Sequence, residues 1–169
     1  DDDIARLAIE SNPMSLRFAS ARCRRNRELI RLAVSKDGKV AEHMLTPVIY
    51  PNDKPFVLDL IRSCKSNSNN IFDHLPAPFK SDHDLWLAAI PGLSSNFSLP
   101  KELSANKSFI IPFLQNCPAS AAERTFRNLE TSLKQDKNVV LEAVKRAGRE
   151  LRYAIDSELR RDPDIEKWV

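Results

Sequence analysis

The chain has 169 residues, 42% hydrophobic and 29% charged, ordinary proportions for a soluble globular protein and enough to bury a core without disulfides or metals. Its three glycines are too few for phosphate-cradling loops, dinucleotide-binding turns or a turn-rich β architecture, which need glycine at positive φ. Twenty-six Lys and Arg against 23 acids leave a net +3, weak for a dedicated nucleic-acid binder, and no apolar run is long enough to span a membrane.

From its start the chain repeats itself. Taking Asp1, Asn26, Asp53, Asp82, Asn106 and Asp136 as first positions gives six units of about 27 residues, each opened by a residue able to cap a helix. In the first unit Ile4-Ala5 and Ala8-Ile9 follow the cap, three, four, seven and eight residues on. The second places Leu29-Ile30 and Ala33-Val34 there, and the third Phe56-Val57 and Leu60-Ile61. The fourth has Leu85-Trp86 and Ala89-Ile90, the fifth Phe109-Ile110 and Phe113-Leu114, the sixth Val139-Val140 and Ala143-Val144. These positions share one helical face, so the spacing predicts a first helix of about ten residues in every unit. Stop signals follow at Pro13, Gly38, Gly92, Pro118 and Gly148. Such helices are unstable alone and must pack on neighbours.

The second halves differ, and the cap spacings of 25, 27, 29, 24 and 30 residues record it. Leu16, Phe18 and Ala19 of the first unit match Leu151, Tyr153 and Ala154 of the sixth. The third runs through Ser66-Asn67-Ser68-Asn69-Asn70, read as a mobile loop, and Pro100 shortens the fourth. The fifth shows the clearest second helix, through Ala122, Phe126, Leu129 and Leu133; Pro112 in its first helix predicts a kink. Asp162-Pro163, Ile165 and Trp168 begin a seventh unit. The expectation is one all-α domain over 1–169, tandem short helix-turn-helix repeats stacked as an α-solenoid or a compact array.

Asp136, Val139, Val140, Ala143, Val144, Gly148, Leu151, Tyr153, Ala154 and Leu159 form a pattern that returns at Ala8, Ile9, Leu16, Phe18, Ala19 and Ser20. Over 1–26 and 136–162 the chain resembles the family of the domain of unknown function 4116. The resemblance implies tandem helical arrays, often beside other domains. It brings no established activity and no catalytic motif.

Candidate chemistry is sparse. Asp73-His74 and Asp82-His83-Asp84 cannot bring their imidazoles onto one helix face, with Pro76 and Pro78 between them, and His43 stands alone; no metal is expected. Cys64 and Cys117 each lie eleven residues after their caps, a recurrence that fits packing at a turn. Cys23 adjoins a basic run that could activate it, although a small hydrophobe filling space is the weightier reading. The three cysteines form no C-x-x-C pair and read as reduced, buried thiols of a cytoplasmic compartment. No nucleophile–base arrangement assembles, so neither an enzyme nor a cofactor is expected.

Arginine is the remaining signal. Between Ile4 and Arg31, seven arginines stand against Glu10 and Glu28, a local excess of five positive charges. Arg22, Arg24, Arg25, Arg27 and Arg31 form one candidate site and Arg146 and Arg149 a second, because guanidinium forks suit carboxylates and phosphates. The bland reading is a solvated outer face. Phe18 and Tyr153, the nearest aromatics, are expected to point into the core, which counts against base stacking.

The leading expectation is therefore a non-enzymatic protein-interaction module whose partner offers an acidic surface, with no membrane role. A nucleic-acid-binding module working through the arginines is the rival. A third reading is a regulatory or targeting segment of a larger enzyme, with the host cytosol as compartment if that enzyme is a secreted effector. The opening Asp1-Asp2-Asp3, without an initiator Met, reads as a piece of a longer protein.

Overall fold

In a computed structural model the structure describes residues 1–44, 53–65, 68–94, 96–152 and 154–169. Every regular element among them is helical and none is a strand. The chain divides into two compact bodies, Asp1–Ser94 and Ser95–Val169, a boundary inside the fourth expected unit.

The first body contains α1 (Asp2–Ser11), α2 (Ala21–Arg24), α3 (Arg27–Lys36), α4 (Ala41–Met44), α5 (Lys54–Ser63), α6 (Asn69–Asp73), α7 (Ala77–Lys80) and α8 (His83–Ala89). Within it α1 packs on α3, α3 on α5, and α5 on α8. The second body contains α9 (Lys101–Ser104), α10 (Lys107–Asn116), α11 (Ala119–Asn128), α12 (Thr131–Lys134), α13 (Lys137–Ala147) and α14 (Pro163–Glu166). There α13 packs on α10, α11 and α14.

The expected caps hold each first helix. Asp1 accepts the amide of Asp3, Asn26 those of Glu28 and Leu29, and Asp53 that of Phe56. Asp82 accepts from Leu85, Asn106 from Ser108, Asp136 from Asn138 and Val139, and Asp162 from Asp164. Each bond satisfies an amide that the first turn leaves unpaired, worth about 1 kcal/mol over alanine. Of the paired apolar positions behind the six caps, all are buried except Ile4 and Ala8 in α1.

The second halves are less regular than their spacing suggests. In the first unit a 3-10 turn (Pro13–Phe18) precedes the four-residue α2, and in the sixth a 3-10 turn (Gly148–Leu151) takes the place of a helix. Tyr153, a member of the matching trio, lies outside the described residues. Among the described residues only the fifth unit has a full second helix, α11. It ends at Asn128, so Leu129 caps it in extended conformation and Leu133 belongs to α12. Their helical spacing spans a break that the buried side chains bridge. Pro112 stays inside α10, which runs unbroken from Lys107 to Asn116; the one carbonyl it deprives belongs to exposed Ser108, where water can serve it.

The polar stretch of the third unit also departs from expectation. Ser66 and Asn67 lie outside the described residues, but Ser68 is fully buried and Asn69 and Asn70 begin α6. Ser68 Oγ donates to the Ala89 carbonyl at 2.8 Å and its amide to the Gly92 carbonyl at 2.9 Å, so its polarity is spent on backbone. Gly92 allows that approach, because a Cβ there would stand 2.7 Å from the Cys64 carbonyl oxygen. Beside it Phe72 stacks on Trp86 with centroids 4.0 Å apart, and the indole donates to the Lys80 carbonyl.

Candidate interaction surfaces

The cap carboxylates carry a second bond. In Asp53, Asp82, Asp136 and Asp162, Oδ1 takes the helix amide while Oδ2 faces a cation from the residue directly after the preceding cap: Arg27, Lys54, Lys107 and Lys137 respectively. The Lys54–Asp82 and Lys137–Asp162 distances are 2.7 and 2.8 Å. Where the cap is Asn26 the polarity reverses: its side-chain amide donates to Asp2, again the residue after the preceding cap, at 3.3 Å. Lys107 holds the Asp136 carboxyl below the usual carboxylate range, and Lys137 does the same for Asp162. Pairs this exposed contribute little to stability, so their effect is more on how successive helices align. Sequence reading missed this ladder, although Arg or Lys does stand directly after four of the caps.

The ladder also draws off candidate site residues. Arg27 pairs with Asp53 and lies over the Phe56 ring, Arg31 reaches Asp59 at 3.4 Å, and Arg22 binds Asp2 at 2.9 Å. Arg24 and Arg25 are exposed. Arg146 donates to the Gln115 carbonyl, and the side chain of Arg149 lies outside what the structure describes. A different trio gathers in a shallow cleft of about 470 Å³, where Arg6 and Arg62 flank Arg31 beside Glu28 and Asp59. These arginines come from α1, α3 and α5 and belong to no single stretch of sequence.

Phe18 corrects its expected direction. It is 80% exposed, with the Arg17 guanidinium 4.7 Å from its ring centroid. Leu16 and Phe18 are two residues apart on the 13–18 turn and so stand on different sides of it; Leu16 takes the buried side and Phe18 is left outside. Ile4 and Leu7, one turn apart on α1, are 67% and 66% exposed, and Ile4 and Phe18 line one groove. That groove, about 480 Å³, is lined by Ile4, Ala8, Leu16, Phe18, Ala19 and Cys23 among others.

The reactive residue types are turned to packing. Cys64 and Cys117 form the C-caps of α5 and α10, buried at equivalent places, and burial raises the Cys117 thiol to about 11. Cys23 is buried too. Its Sγ meets Ser20 Oγ at 3.2 Å and the Asp2 carboxylate at 3.4 Å, on the same oxygen that takes the Arg22 guanidinium. His74 caps the end of α6 and His83 opens α8. Among the described residues no group of three His, Cys, Asp or Glu side chains could hold a metal ion, and no helix is long and apolar enough to cross a membrane.

No curated protein and no solved structure matches the chain. The model of one family, described as Domain of unknown function (DUF4116), matches residues 1–45. That stretch, from α1 through α4, is where the similarity to the family lies.

Proposed function

We propose that this chain is a non-enzymatic protein-interaction module, its six units and the start of a seventh stacked in tandem as a helical array of solenoid type. The cap-to-cation ladder supports the tandem reading, because the same two positions pair from one unit to the next in four places. The observation that carries the function is the groove at which exposed Ile4 and Phe18 meet, with exposed Leu7 one turn from Ile4, since exposed apolar patches mark contact surfaces. The buried thiols favour a packing role over nucleophilic catalysis and suit a reducing, cytoplasmic setting. An acidic partner surface would meet Arg6 and Arg62 in the α1–α3–α5 cleft.

A nucleic-acid reading gains one specific support, the exposed Phe18 ring with Arg17 over it and Arg24 nearby in sequence. Titration of labelled RNA and DNA at two salt concentrations separates the two. Micromolar binding that weakens steeply with salt would overturn the protein-partner reading. Binding that is absent at both salts, with a protein partner recovered by the chain and lost on replacing Arg6 and Arg62, would support it.

A further inference from the structure

On the second body a cleft of about 200 Å³ lies between α9 and α11. Phe97 and Leu99 form its apolar wall, and the Phe97 ring packs against Phe113 with centroids 5.9 Å apart. α9 contributes Lys101, and α11 contributes Arg124, Thr125 and Asn128. Arg124 and Thr125 stand four and three places before Asn128, so the three share one side of the helix. Both charged residues of the lining are cations, and among the described residues no acid lines the cleft.

Thr125 is 4% exposed, and its Oγ1 is buried without a hydrogen-bond partner, the one such side-chain atom among the described residues. A buried hydroxyl left unpaired is costly. In a helix the usual remedy is a bond back to a carbonyl one turn earlier. Ser35, Ser63 and Ser104 each make it, to Leu32, Leu60 and Lys101. Thr125 does not. The cations of the lining are equally uncommitted. Among the described residues neither Lys101 nor Arg124 pairs with an acid, whereas Arg127 on the same helix binds Glu123 at 2.9 Å.

We propose that this cleft binds a small oxyanion ligand, a phosphate or carboxylate carried on a short apolar group. Arg124 and Lys101 neutralise the anion, the Thr125 hydroxyl donates to one of its oxygens, and the apolar group lies on Phe97 and Leu99. The volume falls below the range of about 300–1,000 Å³ typical of drug-sized ligands, so the ligand is small. The site goes beyond the interaction-module reading and lies in the other body from Ile4 and Phe18, so each stands or falls separately.

The test titrates the isotope-labelled full chain with inorganic phosphate, propyl phosphate and butyrate, each against sodium chloride at matched ionic strength. Saturable amide shifts confined to residues 97–104 and 121–128 are expected, at millimolar affinity or tighter. Whichever of propyl phosphate and butyrate binds more tightly identifies the anion. Arg124→Gln, at an exposed position, should weaken binding about tenfold. Thr125→Val keeps the shape of the side chain and removes only the hydroxyl. It should weaken binding about threefold or more while leaving thermal stability equal or higher. A purely structural hydroxyl would do the opposite, so a less stable Thr125→Val chain would overturn the proposal. So would the lack of a saturable shift with all three anions, shifts that chloride reproduces or that lie elsewhere, or binding indifferent to either substitution. RNA shifting the same residues while the small anions do not would assign the cleft to a nucleic-acid backbone and overturn it as well.

Discussion

Asp136 performs two jobs with one carboxylate, and substitution can separate them. Its Oδ1 accepts the amides of Asn138 at 3.0 Å and Val139 at 3.3 Å, while Oδ2 pairs with the Lys107 ammonium. Asp136→Asn keeps an oxygen for the amides and removes the charge; Asn already serves as the cap at positions 26 and 106. The side chains are 43% exposed at Lys107 and 26% at Asp136, so losing the pair should cost about 0.3–1 kcal/mol. Asp136→Ala loses the cap as well, for a total of about 1–2 kcal/mol. Urea denaturation followed by circular dichroism reads both, and a cycle with Lys107→Met isolates the pair. The pH dependence follows from the depressed carboxyl. Its stabilising share is complete above the unfolded pKa of about 3.9 and is lost as pH falls through the lower folded value. The difference between the native chain and Asp136→Asn should therefore fade in acid. If Asp136→Asn costs as much as Asp136→Ala, or keeps its full effect in the Lys107→Met background, the ladder has no energetic content.

Three further outcomes are expected. Gly148 caps α13 at φ 56° and ψ −131°, a region nearly reserved for glycine, so Gly148→Ala should cost about 1–3 kcal/mol in thermal or urea unfolding; a neutral result would show that the turn relaxes freely. Pro112→Ala restores the backbone bond to the Ser108 carbonyl while removing a half-buried ring, and should stabilise the chain by about 1–3 kcal/mol. Net destabilisation there would mean that the ring's packing outweighs the lost bond. Thiol labelling of the native chain at mildly alkaline pH should be slow at Cys23, Cys64 and Cys117, which are all buried, and complete on denaturation. Rapid native reaction at Cys117 would contradict its pKa of about 11.

The sequence by itself determined the first helices. A cap and four apolar residues at helical spacing are local facts, and one face of a short helix must be covered whatever its neighbours are. Hence the six caps and nearly all of the apolar pairs stand where reading the residues puts them. Tertiary structure decided the rest. Periodicity fixes which side of α1 is apolar but not whether anything packs there, so the exposure of Ile4 and Leu7 was invisible in the chain order. The second halves, only four to six residues per helical turn or segment in most units, carry too little pattern to separate α from 3-10 winding or to show which side of the 13–18 turn is left uncovered at Phe18. The arginines looked like one basic patch because they are close in sequence. Folding brought Asp2, Asp53 and Asp59, 20, 26 and 28 positions from their partners, to Arg22, Arg27 and Arg31, and placed Arg6 and Arg62 around one cleft with Arg31. Charge pairing between successive helices depends on through-space distance, which the stacking of α1, α3 and α5 sets and no single stretch of residues encodes.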